Sequence, residues 1–163
     1  MLWFMLACGP SADDIIRNLE SANPVVREDS AKIARNVTSS SEMTTALIAL
    51  LEDSSSRARI NAIESLVELK ATDAVPKLCE LLLEPTLPKP IQSVTIDALG
   101  RLGSAEAVPA LMEYLKRDLE TPALDVIWAL GFIGDRQALD ILSELREHSD
   151  VYVVHNATVA LRE

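Results

Sequence analysis

The chain has 163 residues, of which 48% are apolar and only 4% aromatic, and it carries a formal net charge of −10 with a pI near 4.7. That is enough apolar material for a core, and Leu, Ile, Val and Ala fill it, small and aliphatic side chains that let helices approach closely. The acidity argues against a nucleic-acid partner, whose phosphates are held mainly by clustered Lys and Arg, and it suits solubility or a basic protein partner.

The first ten residues, MLWFMLACGP, form an apolar run ending at Ala7-Cys8, and Gly9-Pro10 detaches that run from the rest of the chain. The run resembles the tail of a bacterial lipoprotein signal. The resemblance implies a lipid on Cys8, removal of Met1 to Ala7, and a place in the bacterial cell envelope with the membrane reached only through that anchor. The alternative is that Leu2 to Leu6 packs on the first hairpin as a hydrophobic cap and the protein is cytoplasmic. A membrane-spanning helix needs about 20 apolar residues, and no such stretch occurs in the sequence. The chain therefore reads as a leader, 1–10, and one repetitive domain, 11–163.

From the acidic helix start Ser11-Ala12-Asp13-Asp14 onward, a short amphipathic helix, a polar turn and an alanine-rich second helix recur five times at spacings of 31 to 33 residues. The second helices are predicted as VVREDSAKIARNV from Val25, RARINAIESLVEL from Arg57, PIQSVTIDALGRL from Pro90, TPALDVIWALGFI from Thr121 and YVVHNATVALRE from Tyr152. Turn formers separate the paired helices at Asn23-Pro24, Ser54 to Ser56, Pro85 to Pro90, Asp118 to Pro122 and His148 to Asp150. The first helices carry apolar residues at three- and four-residue intervals. These are Val75, Leu78, Leu81 and Leu82 in the third copy, Val108, Leu111, Met112 and Leu115 in the fourth, and Leu139, Leu142 and Leu145 in the fifth. Pro76 and Pro109 fall in first turns, where a missing N–H costs nothing, with Asp73 and Glu106 just before them. Gly103 and Gly134 close second helices as left-handed terminators. Cys79, between leucines, reads as a small packed hydrophobe. A fixed period of this kind predicts an all-α solenoid whose units bury their apolar faces on one another.

Asn23-Pro-Val-Val-Arg27 with Ser30-Ala31, and Ala98-Leu-Gly-Arg-Leu-Gly103 with Ala129-Leu-Gly-Phe-Ile-Gly134, resemble the second helix of short bacterial HEAT repeats of the phycobilisome-lyase type. The resemblance covers about residues 11–163 and implies a right-handed α-solenoid of about five stacked helix-turn-helix repeats, with second helices lining its concave wall. It also implies that the motif arginine, Arg27 and Arg59 here, pairs with acidic or carbonyl groups of neighbouring repeats. The later copies hold Gln92, Ala123 and Val154 at that position, so the ladder is expected to end after two copies and packing alone to hold the last three.

If Ala31, Ile63, Ile96, Ile127 and Thr158 mark the buried face, the outward rows are Glu28, Lys32 and Asn36, then Ile60, Glu64 and Glu68, then Ser93, Asp97 and Arg101. The fourth row is different: Leu124, Trp128 and Phe132, three large apolar residues on one stripe. Such a stripe marks either core or a binding patch, and tryptophan is enriched where interface energy concentrates. The fifth copy adds His155, Val159 and Tyr152 beside it and ends without a polar capping helix, its flank including Val151, Val153 and Leu161.

No metal-ligand spacing, phosphate-binding glycine loop or nucleophile motif occurs, and neither a catalytic residue nor a cofactor is expected. The expected function is a non-enzymatic protein-binding scaffold. Its partner would lie on Leu124, Trp128, Phe132 and His155, with Glu64 and Asp97 favouring a basic segment. The alternatives are a structural module that associates weakly with itself, and the bilin-lyase-like activity that the resemblance also implies.

Overall fold

The computed structural model describes residues 9–38, 40–117 and 123–162, and every regular element among them is helical. None of these helices is long and apolar enough to cross a membrane. Cys8, the connection Asp118 to Pro122 and the predicted helix start at Thr121 lie outside the described residues. The chain divides into two compact units, Met1–Leu69 and Lys70–Glu163.

The first unit holds α1 (Ala12–Leu19), α2 (Pro24–Ala34), α3 (Ser41–Ala49) and α4 (Ser56–Glu68). Each begins at a side-chain cap: Ser11, Asn23, Ser40 and Ser55 accept hydrogen bonds from the otherwise unpaired N–H groups of the first turns. Helix α2 ends at Ala34 rather than Val37, because the Asn36 and Val37 N–H groups bond carbonyls three residues back, Ile33 and Ala34, in a turn pattern. Ile15, Leu19, Ala31, Met43, Leu47, Ile63 and Leu66 make a dry core. Polar bonds tie α2 to α4 around it. The Arg27 guanidinium grips Asp53 with Nε–Oδ2 2.6 Å and a second bond of 2.9 Å. The Ser55 hydroxyl donates to the Glu28 carboxylate, the Asn61 amide to the Glu28 carbonyl, and the Ser65 hydroxyl to the Ala31 carbonyl.

The second unit holds α5 (Val75–Leu83), α6 (Lys89–Leu102), α7 (Val108–Leu115), α8 (Leu124–Ile133), α9 (Leu139–Glu144) and α10 (Val151–Ala160). Short 3₁₀ turns at Thr72–Ala74, Ala105–Ala107 and Arg136–Ala138 lead into α5, α7 and α9. The prolines stand in the first turns of α5 and α7, and Gly103 and Gly134 adopt φ of 66° and 67°. The packing face of the first helices is as predicted at Val75, Leu78, Leu81 and Leu82, but Met112 is half-buried and Leu139 exposed. Ile141 takes the inward place with Leu142 and Leu145. On α10, Val153 and Ala157 point inward one turn apart, so Val153 is core rather than exposed flank. Thr158 is only half-buried, its hydroxyl satisfied by the Val154 carbonyl.

Candidate functional site

Helix α8 has the sequence LDVIWALGFI, with one charge in ten residues. Val126, Ile127, Ala129, Leu130 and Gly131 are buried, and α6, α7 and α10 pack against the helix. That register leaves the remaining stripe in solvent: Leu124 is 39% exposed, Trp128 44% and Phe132 56%. The two rings stack, with centroids 5.3 Å apart and planes 23° from parallel. Trp128 is therefore neither core nor freely projecting. Its Cζ3 edge comes within 3.1 Å of where a Gly100 Cβ would stand, so the indole lies along α6 as well as against Phe132.

The glycines in the Ala-Leu-Gly-x-x-Gly segments perform two distinct jobs. The second of each pair, Gly103 or Gly134, terminates its helix in the left-handed region. The first lets the next second helix approach. A Cβ on Gly100 would meet Ala129 Cβ at 3.0 Å, and one on Gly131 would meet Ala160 Cβ at 2.5 Å and its Cα at 2.6 Å. Over the Gly131–Ala160 contact runs a groove of about 80 Å³ lined by Trp128, Gly131, Phe132, Asn156, Val159 and Ala160. His155 is exposed on the same helix as Asn156 and Val159, and Tyr152 stands one turn earlier, also exposed.

The two carboxylates predicted for the site belong to different units. Asp97, on α6, is 3.7 Å from Arg101 on its own helix, while Glu64 belongs to the first unit and sits 2.7 Å from Arg35. The structure brings Leu124, Trp128 and Phe132 together, with His155 on the adjoining helix of the same unit, and Glu64 belongs to the other unit. Cys79 is half-buried, and burial, helped by Glu106 and Glu80, pushes its thiol up to about 11, which keeps it protonated at neutral pH.

The expectation that packing alone holds the last three repeats needs correction. Gln92, in the arginine position of the third copy, donates to the Leu87 carbonyl and accepts from the Tyr114 hydroxyl, each at 2.8 Å. This neutral latch parallels Arg27, which bonds the Ser21 carbonyl and Asp53. Burial raises the Tyr114 hydroxyl above its ordinary value, so it remains a donor at all physiological pH. Sequence reasoning also missed Asn156 and the groove. The signal available was the aligned pair Trp128 and Val159, one large and one small residue in the same register.

The sequence matches the profile of HEAT repeats over residues 12–89 and again over 86–162. Among solved structures, the chain is similar to a chain in the complex of CpcE and CpcF of phycocyanin lyase from Nostoc sp. PCC7120. The identity is 26% and the TM-score 0.76, over 100% of this chain and 70% of that one. It is also similar in fold to an engineered protein, at 19% identity and TM-score 0.64, over 92% of this chain and 77% of that one. No curated protein matches the sequence.

Proposed function

The chain belongs to the HEAT-repeat family, and on that premise we propose that it is a non-enzymatic scaffold that holds a protein partner against α8 and α10. The observation that carries this reading is the stacked, solvent-exposed pair Trp128 and Phe132 on a helix whose other faces are already buried. Leaving such a pair in water costs free energy that a partner recovers, and aromatic anchors of this kind dominate interface energetics. The similar solved structure is a complex of two proteins, which is in keeping with the proposal. Charge contributes less, because Glu64 and Asp97 each have an arginine beside them, and exposed pairs of that sort are worth little.

The test is affinity capture with wild type, Trp128→Ala and Phe132→Ala, each checked for intact helical circular dichroism. Folded variants should lose the captured partner by at least about tenfold, the weight of a hot-spot residue; capture that is unchanged in both refutes the proposal. A lipid on Cys8 would place the scaffold at the cell envelope, as the apolar run before it suggests, and intact mass from the native host checks this. One observation favours a second reading, the likeness over the whole chain to a component of phycocyanin lyase. Under the scaffold reading, added bilin keeps its free visible spectrum; a shifted, protein-bound spectrum would favour lyase-like handling.

A further inference from the structure

The repeat provides two copies of one joint and fills only one of them. Between α6 and α8, Gly100 meets Ala129, and the Trp128 ring edge lies over that contact. Thirty-one residues later the same joint recurs between α8 and α10, where Gly131 meets Ala160 and the position of Trp128 is taken by Val159. The shorter side chain leaves the groove of about 80 Å³, with Phe132 and Trp128 along its α8 side and Asn156 on α10. Asn156 donates one of its two amide N–H groups to the Tyr152 carbonyl, which orients the amide and leaves Oδ1 as an acceptor.

The surroundings are equally selective. The twenty residues of α8 and α10 carry one formal charge, on Asp125, in a chain that is 25% charged. Six of the eight large hydrophobic residues exposed among the described residues lie on these two helices. A groove lined by no charged residue matches an uncharged occupant, since a cation seated there would lose its water with no counter-charge in the lining.

We infer that the groove between α8 and α10 receives a planar aromatic side chain from an uncharged, apolar segment of the partner, occupying the place that Trp128 fills in the preceding joint. This rests on the scaffold reading and specifies what the partner presents. The ring edge would lie over Gly131, against Phe132, with a ring N–H or hydroxyl directed at the Asn156 carbonyl oxygen.

N-acetyl-tryptophanamide, N-acetyl-leucinamide and N-acetyl-lysinamide are the probes, titrated into the ¹⁵N-labelled full chain at low and high salt. The tryptophan probe should shift the amides of Gly131, Asn156, Val159 and Ala160 with a dissociation constant of about 1 mM, several-fold tighter than leucine and unaffected by salt. Val159→Trp should place an indole in the groove, raise the melting temperature and weaken the probe by at least about tenfold. Phe132→Ala, at an exposed position, should weaken it similarly and serves if Val159→Trp does not fold. No shift at these amides, preference for the lysine probe, or unchanged binding in Phe132→Ala overturns the inference. Partner capture that depends on Trp128 while the groove ignores the probe would leave the scaffold standing and remove the aromatic occupant. A groove that binds the probe in a protein that captures nothing would do the reverse.

Discussion

Two kinds of joint hold the second helices of this chain, one mainly polar and one mainly close-packed. Between α2 and α4 the contact is polar: Arg27 on Asp53, Ser55 on Glu28, Asn61 and Ser65 on carbonyls of α2. Between α6 and α8, and again between α8 and α10, glycine packs directly on alanine, and between α6 and α8 the Ser93 hydroxyl also donates to the Asp125 carboxylate at 3.4 Å. Directional bonds specify register, because each buried donor must find its acceptor, whereas close packing specifies distance. The outward rows differ as well. The outward row on α2 holds Glu28, half-buried with its carboxylate engaged by Ser55, and the exposed Lys32 and Asn36, whereas the row on α8 holds Leu124, Trp128 and Phe132. Close approach at Gly100 is what allows the Trp128 ring to reach across onto α6.

The glycine joint is the easier one to break. Gly131→Ala places a methyl group 2.6 Å from the Ala160 Cα, a backbone atom that moves only if α10 moves. We expect a loss of about 1–3 kcal/mol, typical of overpacking, read by thermal unfolding, together with altered amide shifts along α10. A wild-type melting temperature in this variant would show that the two helices separate at no cost. The polar joint responds to pH instead. The Arg27 hydrogen bonds hold the Asp53 carboxyl below its ordinary value. A carboxyl depressed in the folded state stabilises above its unfolded value of about 3.9, and that stability is lost as pH falls through the lower folded value. Asp53→Asn should therefore lower stability at pH 7 by less than the Gly131 change and flatten the fall below about pH 4, measured by denaturant unfolding across pH.

The repetition made the architecture legible, because a period of 31 to 33 residues with closing glycines has few structural solutions. The apolar stripe Leu124, Trp128 and Phe132 was legible too, but α8 is apolar on nearly every face, and only the burial of Val126, Ile127 and Leu130 shows that the stripe faces solvent. Three features were not legible. The Gln92–Tyr114 latch joins residues 22 apart that no local pattern connects. The inward turn of Val153 depends on the pitch of α10, where apolar residues fall on nearly every face and periodicity loses its power. The groove is a difference between two copies, Trp128 in one and Val159 in the next, and appears only when they are compared as packed joints.

The smallest effect concerns how the second helices stop. Gly103 and Gly134 end theirs in the left-handed region, and Lys70, in the same register, does so with a side chain, at φ 53°. A Cβ there crowds the next carbonyl oxygen and costs about 1–2 kcal/mol. Glycine removes that penalty but adds freedom to the unfolded chain worth about 0.5–1 kcal/mol. The difference favours glycine, so Lys70→Gly should raise stability by about 0.5–1 kcal/mol, seen as a higher denaturant midpoint with an unchanged slope. Lys70→Ala keeps the Cβ and should show no such gain. If both variants gain equally, the lysine charge rather than the backbone was the source, and the second copy terminates by a different rule from the third and fourth.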